Sequence, residues 1–399
     1  MLKIGLIKEG KTPHDNRVAL TPAQCKWVQE NKDISVVVQH SSTRCYSDAE
    51  YEKAGIEVKE DVSECDIFFG IKEVPIDMLI PEKTYFFFSH TRKLQPYNQK
   101  LLQAIINKKI TLIDYECLEH EDGTRLIGFG FFAGVVGAHN GMMAYGNRTH
   151  TYSLNRVYKK KNFQELIHTY FGLKLPNVKV AVTGSGRVAH GILEIMNLME
   201  IHEAEPDEFK STTFSYPAYV HLKGGDLYVN KLTGKYTRKE FHEHPENYKC
   251  LFTDYISETE ILLNGIYWYD KIPRLFQLED MKKGDFRIKT IADISDDKYG
   301  SVPCNLGDNT MEDPVYGVNK MTGERTAPYI EGSVDVMAVG NLPNELPRDA
   351  SRYFGEQLIK YILDDLIAGS SKIIDDAMIT RNGQLRENFS YMKEYAGYK

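Results

Sequence analysis

The sequence predicts an α/β protein made of two Rossmann-like domains with parallel sheets and an inter-domain cleft. Short apolar runs alternate with amphipathic stretches from the N-terminus onward, which is the βαβ rhythm of a parallel sheet covered by helices. The alternation starts afresh near the middle of the chain, at a strand that runs straight into a glycine-rich turn. At 399 residues, the chain also exceeds what one hydrophobic core usually serves.

In the first 140 residues, KIGLIKE, ISVVVQH, CDIFFGIK, TYFFFSH and ITLIDYE read as strands. Their Val, Ile and Phe content fits strands buried on both faces. Pro22 to Lys32 and Gln95 to Asn107 read as helices between them. A helical segment over roughly 163–171 precedes NVKVAVTG, where the second alternation opens, and it continues through CLFTDYI, EILLNGIYW and FRIKTIADIS. Within AYVHLKGGDLYVNKLTGKY, the pair Gly224-Gly225 reads as the turn of a hairpin inserted on the sheet. After VDVMAVGNLP, apolar residues recur at helical spacing (Phe354, Leu358, Tyr361, Ile362, Leu366) and stop near Gly369, which predicts a helix over 350–366 that packs back on the first domain. The expected division is a substrate domain of 1–140 plus 345–399 and a dinucleotide-binding domain of 141–344.

Composition excludes several classes. Hydrophobic residues make up 42% and charged residues 26%, the balance of an ordinary globular protein rather than a disordered or fibrous one. A formal net charge of -7, with only the short basic run Lys159 to Lys161, leaves no electrostatic footprint for nucleic acid. The six cysteines lie far apart with no CxxC pair, so no metal site is expected and reduced thiols fit. The N-terminus turns polar too early for a signal peptide, and no stretch reaches the roughly 18 apolar residues of a membrane span. A cytoplasmic protein with small-molecule partners, as a monomer or homodimer, is the expectation.

Two constellations carry chemistry. In the first, the strand Val178 to Thr183 opens into Gly184-Ser185-Gly186-Arg187-Val188-Ala189 and then a helix, which is GxGxxA in its required context. Gly184 permits the tight turn, Gly186 lets backbone approach a pyrophosphate, and Ala189 lets helix and strand pack closely. The acidic residue about 20 positions on that would hold the adenosine ribose falls at Glu203 or Glu205, and a carboxylate at Glu205 favours NAD over NADP. A solvated acidic loop accounts equally well for that stretch, so the cofactor is NAD or NADP.

The second constellation lies at the strand ends of the first domain. Lys8-Glu9, Lys72-Glu73, His90 and Asp114-Tyr115-Glu116 each close an apolar run, and ligands of open α/β sheets bind at the carboxyl ends of the strands. Burial beside such runs disfavours the charged forms of Lys72 and His90, moving both toward the range useful for proton transfer. Arg17 and Arg125 are candidate bidentate clamps for carboxylates.

The segment IKEGKTPHDNRVALTP resembles the N-terminal signature shared by alanine dehydrogenase, the NAD-binding subunit of transhydrogenase and lysine-forming saccharopine dehydrogenase. FFFSHTRK, TLIDYE, RLIGFGFFAGVVG, VAVTGSGRVAHG, HPENY, LLNGIYW, IADISDDKYGSV and NLPNELPRDAS narrow the resemblance to the lysine-ketoglutarate reductase part of α-aminoadipic semialdehyde synthase, from about Lys3 to Leu385. The resemblance implies NAD(P)-dependent interconversion of saccharopine with lysine and 2-oxoglutarate, with Lys72 and His90 as the acid–base pair and Arg17, Lys93, Arg125 and Phe129 lining the substrate site. It implies dinucleotide contacts from Gly184, Gly186, Arg187, Val188, Glu205, Gly265, Ala292, Asp293, Ile294, Val339, Gly340, Asn341 and Leu342. Relatives carry an aspartate just before the (N/H)LP segment where this chain has Gly340, which places rate or substrate in question. The alternatives are an alanine dehydrogenase or opine-type amino acid dehydrogenase, and a nucleotide-binding sensor without catalysis.

Overall fold

The computed structural model describes residues 1–398, in two compact units: Met1–Phe129 with the C-terminal segment from Pro347, and Gly130–Leu346. The first unit is built on an eight-stranded sheet. Its strands are β1 (Leu2–Leu6), β2 (Ile34–Gln39), β3 (Glu57–Lys59), β4 (Ile67–Phe69), β5 (Thr84–Phe87), β6 (Thr111–Asp114), β17 (Met378–Arg381) and β18 (Gln384–Leu385). They lie in the order β18-β17-β6-β5-β4-β1-β2-β3, and every pair from β6 to β3 is parallel. β17 extends the edge antiparallel to β6, and β18 pairs antiparallel with β17.

Neighbouring residues Phe68 and Phe69 are both buried, as are Phe86 and Phe87. Successive side chains of a strand point to opposite faces, so both faces of this sheet are covered. The helix Pro22–Asn31 starts at a Thr21/Gln24 capping box, which satisfies the orphan amides of its first turn. The predicted 95–107 helix runs over Gln99–Asn107, because Pro96 opens a 3₁₀ turn first. The C-terminal helical run extends from Pro347 to Ala368 through one wider turn at 359–363. It stops at Gly369, whose φ of 68° is a left-handed cap.

The second unit holds another eight-stranded sheet: β7 (Lys179–Thr183), β8 (His202–Glu203), β9 (Ala218–Leu222), β12 (Ile261–Asn264), β13 (Thr290–Asp293), β14 (Val315–Asn319), β15 (Arg325–Thr326) and β16 (Ser333–Met337). The order is β15-β14-β16-β13-β12-β7-β9-β8, parallel from β16 to β8. Two mainly parallel sheets therefore stand where the sequence predicts them.

Two expectations need correction. Gly224-Gly225 does not turn a hairpin: β9 runs parallel to β7 inside the main sheet, and the glycines lead out of it into a separate antiparallel ribbon of β10 (Tyr228–Asn230) and β11 (Tyr248–Cys250). The cause is that AYVHL is a nearly all-buried run, which belongs in the interior of a parallel sheet. CLFTDYI is a 3₁₀ turn at Phe252–Tyr255, whose apolar side chains fill the core without joining the ladder.

The helix Gly130–Thr149 meets the helix Arg187–Leu198 at glycines. A Cβ on Gly134 would stand 2.0 Å from the Val188 carbonyl oxygen, and one on Gly191 2.0 Å from that of Phe131. Further along, Gly137 lies under Ile294 and Gly141 under Ala292 and Leu263, so the same helix also rests directly on the sheet. No helix among the described residues is long and apolar enough to cross a membrane.

Because backbone cannot recede as a flexible side chain can, Gly191→Ala is expected to destabilise the second unit by about 1–3 kcal/mol or more. Thermal unfolding followed by calorimetry checks this, and an unchanged transition would show that the helices can separate freely.

Candidate active site

In the first unit, β1, β4, β5 and β6 are successive neighbours and all end at the same edge. Past the end of β1, Glu9 turns its carboxylate onto the end of β4, where its two oxygens accept from the amides of Ile71 (2.6 Å) and Lys72 (2.9 Å). Burial, reinforced by the nearby Asp15 charge, raises the Glu9 carboxyl to about 8. Lys72 is thus held by its own backbone. Its ammonium is brought down to about 8, first by burial and then by the Arg17 charge, with Asp15 opposing.

The next residue, Glu73, receives His90 Nδ1 at 2.7 Å on one oxygen and Lys11 Nζ at 2.8 Å on the other. Burial alone would raise this carboxyl, but His90 and Lys11 hold it far below the usual carboxylate range. His90 sits at φ 51°, a left-handed conformation, and its ring lies parallel to Phe88. Asn98 bridges the Ser89 carbonyl (3.0 Å) and Glu73 (3.3 Å), bracing the turn that carries His90. With Nδ1 engaged by a carboxylate, Nε2 is the ring atom left to exchange a proton.

Arg17 is almost wholly buried, and Asp15 takes its Nε (2.9 Å) and Nη2 (2.5 Å) edge. The guanidinium lies 4.1 Å over the Phe129 ring, which stacks on Phe354 at 4.5 Å. Burial disfavours the Asp15 charge, yet the Arg17 guanidinium wins and holds it at about 2. The fork read as a substrate clamp is therefore already occupied along one edge, and Arg17 is a fixed positive wall. Arg125 is exposed and gives Nη2 to Glu116 at 2.9 Å. Lys93 is exposed, three residues beyond His90. Lys72, His90, Arg17 and Phe129 thus share one neighbourhood, whereas Lys93 and Arg125 are exposed and Arg125 is paired with Glu116.

In the second unit, β7, β12, β13 and β16 are consecutive, and the predicted dinucleotide residues follow their carboxyl ends. Gly184 has φ 112°, and a Cβ there would stand 2.6 Å from the Gly265 carbonyl oxygen. A Cβ on Gly186 would meet nothing within 4 Å, so that residue opens the helix start onto clear space. A Cβ on Gly265 would press on Val188 and Ala189. A turn this bare, at a helix N-terminus, fits a pyrophosphate held by backbone amides.

Ala292, Asp293 and Ile294 end β13, and all three are buried. Asp293 accepts from Asn264 Nδ2 and Asn305 Nδ2, both at 2.8 Å, so its carboxyl is committed to the fold. Val339 and Leu342 are buried, while Gly340 is exposed and Asn341 half-buried. At Gly340, the Asp308 and Asp296 carboxylates lie 2.6 and 3.2 Å from where a Cβ would be. Two carboxyl groups from neighbouring loops therefore converge at this position, and burial beside Asp308 raises the Asp296 carboxyl to about 8. Glu205 stands apart: it is exposed, at the N-cap position of the helix Pro206–Ser211 without a side-chain capping bond, beyond the outermost strand β8.

Sequence reasoning passed over Asp15, Asn98 and the orienting role of Glu73. Glu73 adjoins Lys72 and was readable as a strand-end acid, but its partner lies 17 residues on. Asn98, inside a segment read as plain helix, carried no signal.

The Lys72 shift has a stability consequence. Its folded value, about 8, lies below the unfolded 10.5, so the unfolded chain binds the proton more tightly and the penalty is fully present below pH 8, fading as pH rises to 10.5. Lys72→Met is expected to stabilise the fold at pH 7 by about 1–3 kcal/mol, with less gain at pH 10. Urea unfolding of both proteins at the two pH values checks the direction.

Residues 5–136 match the family model described as Alanine dehydrogenase/PNT, N-terminal domain. The mitochondrial α-aminoadipic semialdehyde synthase of Mus musculus is 29% identical over 98% of this chain and 47% of its own length, so the chain spans about half of that relative. The saccharopine dehydrogenase (NAD(+), L-lysine-forming) of Emericella nidulans is 25% identical over 90% of this chain and 91% of its own. Among solved structures, an L-alanine dehydrogenase superposes with a TM-score of 0.67 at 15% identity, covering 99% of both chains, which speaks for the fold alone. Over residues 5–136 the chain is similar to the alanine dehydrogenase/PNT N-terminal domain, and its likeness to the α-aminoadipic semialdehyde synthases extends over nearly all of its length.

Proposed function

We propose that the chain is a pyridine-nucleotide-dependent oxidoreductase of amino acids, and that it interconverts saccharopine with L-lysine and 2-oxoglutarate. The observation that carries this is the strand-end pair of the first unit: a Lys72 amine lowered to about 8, beside a His90 oriented through Nδ1 by Glu73. An amine lowered toward neutral pH beside an imidazole held in one orientation suits the oxidation of an amine and the hydrolysis of the resulting imine. The Gly184–Val188 turn of the second unit fits the dinucleotide, which when bound accepts or donates the hydride.

In the lysine-forming direction, Lys72 Nζ, neutral, takes the proton from the secondary amine of saccharopine as the glutamate-side carbon is oxidised. His90 Nε2 then takes a proton from the water that adds to the imine carbon. The proton on His90 passes to the nitrogen to complete the carbinolamine; breakage of its C–N bond then releases lysine and 2-oxoglutarate, with the hydroxyl proton taken by His90 and the proton on Lys72 given to the departing nitrogen. In the reverse direction, the same atoms serve in the opposite order, as microscopic reversibility requires.

The positive wall of Arg17, fixed by Asp15 and Phe129, attracts substrate carboxylates and holds the reacting carbon in place. Arg125 and Lys93, both exposed cations, suit the outer carboxylates of a long substrate. This is why saccharopine is preferred here over alanine.

With lysine, 2-oxoglutarate and a reduced dinucleotide, absorbance at 340 nm is expected to fall only when all three are present. Lys72→Met and His90→Gln should each lower kcat by about 10²–10⁴-fold. A signal from pyruvate and ammonia instead would transfer the assignment to alanine dehydrogenase chemistry, and full activity in both variants would remove the acid–base roles.

A further inference from the structure

The antiparallel ribbon of β10 and β11 forms one wall of a cavity of about 450 Å³ in the second unit, and the 271–280 segment after β12 forms another. None of its lining residues belongs to the strand-end pair of the first unit or to the glycine turn. Its volume lies in the range of roughly 300–1,000 Å³ found for small-molecule sites.

Both walls are anchored to the core. Tyr248, Leu275 and Phe276 are buried. The Tyr248 hydroxyl donates to Glu240 at 2.8 Å, and the Leu275 amide donates to the Ser301 carbonyl at 2.9 Å. The cavity therefore has a fixed, largely apolar base, while its charged side chains are exposed.

Those charges are unevenly matched. Lys231, Lys249, Lys271 and Arg274 line the cavity against two acids, Glu246 and Asp280. Both acids are already engaged by groups outside the lining. Asp280 takes Lys283 Nζ at 2.6 Å and the Gln277 amide at 2.7 Å, and Glu246 faces His244 Nδ1 at 3.3 Å. None of the four cations forms an ion pair with a carboxylate among the described residues. Two of them are held by backbone oxygens, which fix a side chain in place without neutralising it: Lys231 Nζ donates to the Glu246 carbonyl and Arg274 Nη2 to the Tyr299 carbonyl, both at 2.8 Å. Arg274 commits one guanidinium nitrogen there and keeps further N–H donors for an oxygen anion.

A concavity walled by one sign of charge focuses the field and concentrates counter-ions, here within a chain whose formal net charge is -7. Four cations against two acids leave a surplus that a doubly charged ligand would neutralise. We propose that this cavity is a binding site for a small polyanion, a metabolite carrying at least two phosphate or carboxylate groups, held by Lys231, Lys249, Lys271 and Arg274. The site is independent of the reaction proposed above.

The test is calorimetric titration of the full chain with pyrophosphate and with citrate, each with and without excess NADPH to fill the glycine turn. The proteins are the unaltered chain, Lys249→Ala, Lys271→Ala, Lys249→Glu and, as a cation outside the cavity, Lys159→Ala. At least one probe should bind in a saturable manner with NADPH present, and pyrophosphate or citrate alone would identify the phosphate or the carboxylate as the preferred group. Lys249→Ala and Lys271→Ala should each weaken binding about tenfold, as expected for loss of a charge-assisted contact, and Lys249→Glu should weaken it further. Lys159→Ala should leave it unchanged. Binding of neither probe at millimolar concentration, binding abolished by NADPH, or affinity that ignores Lys249 and Lys271 or falls equally with Lys159 would overturn the proposal.

Discussion

Two carboxylates hold the working edge of the first unit. Glu9 spans from the end of one strand to the exposed amides at the end of its neighbour, and Glu73 ties the turn after that strand to the histidine after the next. Each satisfies groups that a parallel sheet leaves open where its strands stop, and in doing so fixes Lys72 and His90 without a single contact to their reacting atoms. The arrangement requires burial, because the same carboxylates in water would gain little from these partners. Burial in turn lowers the Lys72 amine toward neutral pH. Precision of placement and adjustment of basicity thus have a common cause.

The second unit reaches a comparable precision by removing side chains. Glycines at 134 and 191 let two helices touch backbone to backbone, and glycines at 184, 186 and 265 strip the turn at the end of β7 of side chains. Behind the turn, a dry polar network closes the strand ends: Thr183 donates to Asn264, and Asn264 and Asn305 donate to Asp293. Such a network gives rigidity only when its members are paired, and here the amide donors are matched to both oxygens of the buried carboxyl.

Charge is distributed with the same economy. Arg17 is committed to Asp15 and to the face of Phe129, so it acts as a stationary field. A side chain already desolvated and immobilised loses no further freedom when a substrate carboxylate arrives, which is the general advantage of a preorganised site. Near Gly340 the logic is reversed. Asp296 and Asp308 converge where no side chain intervenes, and burial with mutual repulsion lifts the Asp296 carboxyl to about 8.

What the sequence by itself determined was local and periodic. The apolar runs named β1, β2, β4, β5 and β6 of the first sheet and β7, β12 and β13 of the second, and the GxGxxA pattern located the glycine turn after β7. Titratable residues at strand ends singled out Lys72 and His90, because burial patterns and turn chemistry are written in near neighbours. Only the tertiary structure decided lateral order and pairing. It put β9 rather than β8 beside β7, gave Arg17 to Asp15, oriented His90 through a glutamate 17 residues away, and refilled the place left by Gly340 with carboxylates from two other loops. The physical reason is that strand neighbours and ion-pair partners are chosen by which buried surfaces and charges satisfy one another in space, and chain order does not encode that choice.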